Sequence, residues 1–160
     1  MAMIKYKSFK DSEAVLAEML LPYQANPAGN IHGGEIMKLM DSTAGVSAMK
    51  YSRTNAVTAR VDELQFKHPV HVGDHVVCTA HVVYTGRSSM EVFVTVEAEN
   101  LLTGESNIAL TAFFTMVAVD PNGKPVPVPP IEFSNEPYIR KLYFEGQRRY
   151  ESHRHKKNRD

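Results

Sequence analysis

The chain has 160 residues, enough for one domain with a real core but not for two of ordinary size. Apolar residues make up 43% and charged residues 22%, which is ordinary globular usage and excludes a disordered protein. Lys plus Arg and Asp plus Glu both number 18, so no global field draws the chain to nucleic acid or to an anionic membrane, and neither is expected as a partner.

Residues 1–10 alternate polar and apolar and lack the continuous apolar core of a secretory leader. No apolar run is long enough to cross a bilayer. The lone Cys78 cannot form an internal disulfide, and no Cys/His group has the spacing of a structural zinc site. A reducing, cytoplasmic setting and a metal-free protein without cofactor are expected.

Residues 13–21 form a short apolar stretch that predicts a first strand, stopped by Pro22. A loop of helix-breaking composition follows over residues 26–34, Asn-Pro-Ala-Gly-Asn-Ile-His-Gly-Gly. From residue 35 to 51 the period becomes helical, with Met37, Met40, Ala44, Ala48 and Tyr51 at threes and fours. Most other positions are small or apolar too, so this helix is predicted to be buried on several sides.

The period then falls to two. Val57, Ala59 and Val61 alternate with polar residues, and Leu64 and Phe66 shift the phase, which predicts a bulge. Further strands are predicted over residues 76–84, 90–98 and 108–119. In the middle one Met90, Val92, Val94, Val96 and Ala98 face one way, against Glu91, Thr95, Glu97 and Glu99 on the other face. The last is apolar on both faces, as a central strand should be. Short turns at His68-Pro69, Gly73, Gly86 and Gly104 imply antiparallel neighbours. One strand, one buried helix, then a run of antiparallel strands is satisfied by an α+β fold in which a curved sheet wraps a single central helix. That domain is placed at residues 8–130. The prolines at 125, 127, 129 and 130 close it, and residues 131–160 form a basic, helical tail.

The densest chemical signal runs from Asn26 to Asp41. Gly33 and Gly34 sit where the helix begins, so their N–H groups and the positive end of the dipole suit an oxyanion, such as that of a thioester under attack, unless they form a simple glycine-rich turn. His32 can act as a simple cap there. Asp41 shares a stripe with Gly34, Met37, Ala44, Gly45 and Ala48, where a carboxylate is costly unless hydrogen-bonded or chemically employed. Seven residues of helix separate Gly34 from Asp41, a rise of about 10 Å, whereas an oxyanion must lie about 3 Å from its donors. One subunit's helix start therefore serves its own Asp41 poorly, and two helices packed antiparallel about a two-fold axis would bring them together. Sites shared between subunits of at least a dimer are expected.

With these residues the chain resembles the acyl-CoA hydrolase family of hot-dog fold thioesterases. The resemblance rests on Asn26, Gly29, His32-Gly33-Gly34, Met37, Met40-Asp41 and Ala44-Gly45. It continues through Val57-Thr58-Ala59, Phe66, Pro69-Val70, Val72-Gly73-Asp74, Gly86, Ser88-Ser89-Met90 and Phe114 to Val119. It implies hydrolysis of acyl-CoA by a catalytic pair, Asn26 and Asp41, drawn from opposite subunits of an assembly of dimers, a trimer of dimers in its higher form. It also implies a CoA-contacting turn, here Arg87, Ser88 and Ser89. The family often has an aromatic residue at the position of His32, so His32 receives no catalytic role.

Two other functions fit the same architecture: a non-enzymatic acyl-CoA sensor, and a dehydratase or hydratase pairing a His with an acid, for which His32 is the one candidate. His68, His71, His75 and His81 read mostly as surface residues, and Cys78 as a buried structural thiol. The six Lys and Arg among residues 146–160 read first as a solvated terminus and, more sharply, as a hold on CoA phosphates.

Overall fold

The structure, a computed structural model, describes residues 3–157. Arg159 and Asp160, part of the basic tail, lie outside the described residues. Five strands form one antiparallel sheet: β1 (Ala14–Met19), β2 (Asn55–Phe66), β3 (His75–Thr85), β4 (Ser89–Glu99) and β5 (Ser106–Val119), in the order β1-β3-β4-β5-β2. The helix α1 (Gly33–Ser52) lies against one face and α2 (Pro137–Lys157) against the other. A sheet around one long helix is the arrangement expected from the order of periods.

β3, β4 and β5 follow one another as hairpins, as their short turns imply. The connection between β2 and β3 is also short, yet it joins strands that do not pair. β2 pairs with β5 and β3 with β1, so residues 67–74 cross the end of the sheet. Backbone bonds secure that crossing, from Lys67 N to Ala109 O (2.7 Å) and from Ile31 N to Val70 O (2.8 Å). The bulge in β2 is present as two register shifts, between Thr58 and Arg60 and between Asp62 and Gln65, with Glu63 at φ 51°.

α1 buries Ile36, Met40, Thr43, Ala44, Ser47, Ala48 and Tyr51 on the sheet. Facing them, Met90, Val92, Val94, Val96, Leu110, Phe114 and Met116 complete the core, each large side chain contributing roughly 1.5–3 kcal/mol by burial. Cys78 belongs to this core, and burial pushes its thiol up to about 11. Arg53 ends α1 in a left-handed cap, its N–H donating to Met49 O at 2.8 Å.

The tail is docked through one face of its helix, while Arg148, Arg154, Lys156 and Lys157 stay exposed to solvent as a solvated terminus would be. α2 docks on β3 and β4 with Leu142, Gly146 and Arg149 buried. Gly146 makes this possible, because a Cβ there would lie 2.8 Å from Tyr84 Cβ. The Arg149 guanidinium rests 3.7 Å over the Phe113 ring and pairs with Glu63. Glu91, expected on the polar face of β4, is consequently only 1% exposed. His81 departs from expectation too, stacking on Phe9 at 3.9 Å between centroids beside Glu13, whereas His68 and His71 are exposed.

Candidate active site

The loop before α1 is pinned at both sides. Gln24 is buried, its Oε1 accepting from Leu21 N (2.8 Å), and its carbonyl accepts from His32 N (2.8 Å). Within the loop Asn26 forms a tight turn: its Oδ1 accepts from Ala28 N (3.0 Å) and Asn30 N (3.2 Å), while its own N–H donates to Asn30 O (2.7 Å). Gly29 takes φ 90° in that turn. With Oδ1 committed to the backbone, the half-buried Asn26 presents its amide NH2 as the group that can meet a ligand.

His32 is the N-cap of α1. Its Nδ1 accepts from Gly34 N at 3.1 Å, the simple capping role open to it from sequence. The Gly34 N–H is therefore engaged within the chain and would have to exchange that bond to meet an oxyanion. Gly33 N–H has no hydrogen-bond partner among the described residues. The Phe66 ring lies against Gly33, 3.2 Å from where a Cβ would stand, so glycine lets the exposed Phe66 cover the helix start.

Asp41 lies on α1, but not in the core. Of the stripe read from sequence, Ala44 and Ala48 face the sheet, whereas Gly34, Met37 and Asp41 are exposed along with Val46 and Met49. The 3.6-residue period marks both sides as apolar; only the sheet decides which one it covers. Asp41 Oδ1 accepts from the Thr58 hydroxyl of β2 at 2.6 Å. Thr58 was not singled out from sequence, although it lies inside Val57-Thr58-Ala59; strand alternation, which turns it opposite Val57, was the available signal. Among the described residues no hydrogen bond joins Asn26 to Asp41, and α1 holds Gly33 and Asp41 two turns apart.

The Arg87-Ser88-Ser89 turn is braced by backbone bonds. Arg87 O accepts from Val128 N (2.8 Å) and Ser88 O from Ala118 N (2.9 Å). Ser89 lines a cavity of about 280 Å³ between the sheet and α2, whose walls include neither Arg87 nor Ser88. At the cavity floor Glu91 accepts from the Thr115 hydroxyl at 2.9 Å, and His153 of α2 lies 3.8 Å away. His153 Nε2 meets Asp62 at 2.6 Å, and Asp62 also pairs with Arg60 at 3.3 Å. Burial above all pushes the Glu91 carboxyl up to about 7, with Asp62 adding to the rise and the Thr115 bond opposing it. Sequence reading missed this cluster because its parts lie on three elements. Among the described residues no three His, Cys, Asp or Glu side chains converge to hold a metal, and no helix is long and apolar enough to span a membrane.

Known proteins share this fold. The family profile described as Thioesterase superfamily matches residues 28–105. An uncharacterized acyl-CoA thioester hydrolase of Bacillus subtilis is 42% identical over 120 residues, 75% of this chain and 70% of its own length. The crystal structure of an apo-hexameric acyl-CoA thioesterase superimposes with a TM-score of 0.89 at 38% identity, covering 96% of this chain and 97% of that one. The acyl-CoA hydrolase of Staphylococcus aureus, solved with butyryl coenzyme A, coenzyme A and coenzyme A disulfide, gives a TM-score of 0.84 at 29% identity over 97% of this chain and 96% of its own. From its helix-wrapping sheet and these relatives together, the chain belongs to the acyl-CoA thioester hydrolases of the thioesterase superfamily, and is a hot-dog fold thioesterase.

Proposed function

We propose that this protein hydrolyses acyl-CoA to a free acid and CoA at sites shared by two copies of the chain, with Asn26 and Asp41 as the catalytic pair. The observation that carries the reading is the Asp41 carboxylate, held by Thr58 at 2.6 Å on a helix face that the rest of the chain leaves open. A second α1 packed antiparallel on Met37, Asp41 and Met49 removes that apolar surface from water. It also brings one copy's Gly33 amide and Asn26 to the other's Asp41. Asp41 then acts as general base on water or as nucleophile, and Asn26 orients the thioester. The Gly33 N–H meets the oxyanion, joined by Gly34 N–H once His32 yields it. Arg87, Ser88 and Ser89 form the turn that contacts CoA. Hexameric relatives support a trimer of such dimers.

The reading is tested by release of CoA, followed with a thiol reagent, from acyl-CoA substrates of graded chain length. Turnover that Asp41→Asn abolishes supports it. Tight acyl-CoA binding without any CoA release would make the protein a sensor instead.

A further inference from the structure

The second bulge of β2 has no role in the chemistry above, yet it decides what stands over the Gly33 amide. Asp62 and Glu63 are neighbours in a strand, where side chains alternate between the two faces. Both nevertheless turn to α2: Asp62 meets His153 at 2.6 Å, and Glu63 pairs with Arg149. The register shows the inserted residue, since β2 advances from Asp62 to Gln65 while β5 steps only from Phe113 to Thr111. Unbroken alternation from Asp62 would send Leu64 and Phe66 to the α2 side. The insertion reverses them, so Leu64 packs on the core and the Phe66 ring reaches Gly33.

Glu63 takes φ 51° to achieve this, a left-handed conformation that L residues other than Asn and Asp rarely adopt. α2 holds it there. Arg149, whose side chain is 5% exposed, pairs with the Glu63 carboxylate, and Arg148 lies 3.8 Å from it. Arg149 is itself fixed 3.7 Å over the ring of Phe113, the partner of Asp62 on β5. The C-terminal helix thus acts through the sheet on the start of α1 beyond it.

A thioester whose oxygen meets the Gly33 N–H carries two substituents on its carbonyl carbon, the sulfur and the acyl α-carbon. The sulfur leads to CoA and its turn at residues 87–89. That turn lies at the Thr58 end of β2, since Ser89 pairs with Val117 and Thr58 with Met116. Phe66 stands at the opposite end, across from Leu110. In a shared site one copy supplies Asp41, Thr58 and the turn, and the other supplies Gly33 and Phe66. The carbonyl between them directs its sulfur to the first copy and its α-carbon to the Phe66 ring of the second.

We propose that Phe66 sets the substitution allowed at the acyl α-carbon, admitting straight chains and rejecting α-branched ones, with Glu63 and Arg149 as the residues that position it. The assignment rests on the thioesterase reading of the site.

The test compares kcat/KM, by CoA release, for the straight-chain acyl-CoA turned over fastest and for its 2-methyl derivative. The parent should prefer the straight chain by about 10-fold or more, the discrimination that a single methyl group can produce. Phe66→Ala should lose most of that preference. Glu63→Ala, which removes the carboxylate but keeps the strained backbone, should relax it as well. Glu63→Gly should retain it, because glycine adopts a positive φ without help. Lost stability alone would slow both substrates together and leave their ratio unmoved. A parent indifferent to the 2-methyl group, or a Phe66→Ala protein that keeps the parent's ratio, would overturn the proposal. Glu63→Ala with the parent's ratio would overturn the positioning role of the α2 contact. Calorimetry with ketone analogues, in which CH2 replaces the thioester sulfur, separates this proposal from the reading it rests on. Suppose the parent releases no CoA, yet binds the straight-chain ketone more tightly than the 2-methyl ketone, while Phe66→Ala binds them alike. The thioesterase reading then falls and the role of Phe66 stands. Equal binding of both ketones by the parent would overturn that role.

Discussion

Asp41 and Thr58 form the pair on which turnover is expected to depend. Asp41→Asn should keep the fold, since the side chain is exposed in the single chain, and lower kcat by about 100-fold or more, as for loss of a general base. Turnover within threefold of the parent would remove Asp41 from the mechanism. Thr58→Val deletes the donor of the 2.6 Å bond and of a weaker 3.4 Å contact to Met116 Sδ. Hydrogen bonds to charged groups are worth roughly 1.5–3 kcal/mol, so where this one orients the carboxylate in the transition state kcat should fall about 10-fold or more, with a melting temperature lower by a few degrees. Glu91 makes a different prediction. Its folded carboxyl is raised from 4.5 to about 7, so folding favours the protonated form. The sign follows from linkage: the stability is fully present below about pH 4.5, falls through the window to 7, and is absent above it. The loss is at most about 3 kcal/mol from a shift of that size. Glu91→Gln should flatten this part of the stability profile in denaturant melts and make the protein more stable than the parent above pH 7. A profile unchanged in slope would mean that Glu91 stays ionised beneath α2.

At the scale of elements, the period of the apolar residues located α1 and all five strands within a few residues, because each buries one face on a common core. The bulge in β2 was legible for the same reason: Leu64 and Phe66 break the alternation set by Val57 and Val61. Strand order was not legible, since nothing local to residues 67–74 says that they cross the sheet instead of closing a hairpin. The burial of Glu91 was not legible either, because it depends on an element some fifty residues downstream. Asn26, Asp41 and the helix start stand out in the sequence as candidates, while the exposure of Asp41 and its link to Thr58 required the sheet to be in place. α2 offers its own test. Gly146→Val would drive a side chain into Tyr84 and Val83, whose atoms lie 2.8 and 3.0 Å from a Cβ at that position. Overpacking of this kind costs about 1–3 kcal/mol, and α2 should become the first region cut in limited proteolysis. Cleavage as slow as in the parent would show that the helix accommodates the change.

At the scale of the whole molecule, the proposed sharing of a site between subunits would make assembly a condition for activity. Asn26→Ala and Asp41→Ala subunits, each inactive alone, should recover activity when mixed and refolded together. Each mixed dimer then holds one site with both residues intact and one with neither. Mixed dimers that form and remain inactive would confine the pair to a single subunit. The core adds a consequence of its own. Cys78 is 0% exposed in the centre of the fold, on a strand paired on both sides, and its thiol is held up to about 11. A thiolate is the reactive form, so the native protein should be silent to the reagent that counts released CoA. Labelling of Cys78 then requires the sheet to part, and its rate reports how often the molecule opens. A single natural sulfur atom thus serves as a clock for global opening, readable in the same cuvette as the reaction, with no probe added and no residue changed.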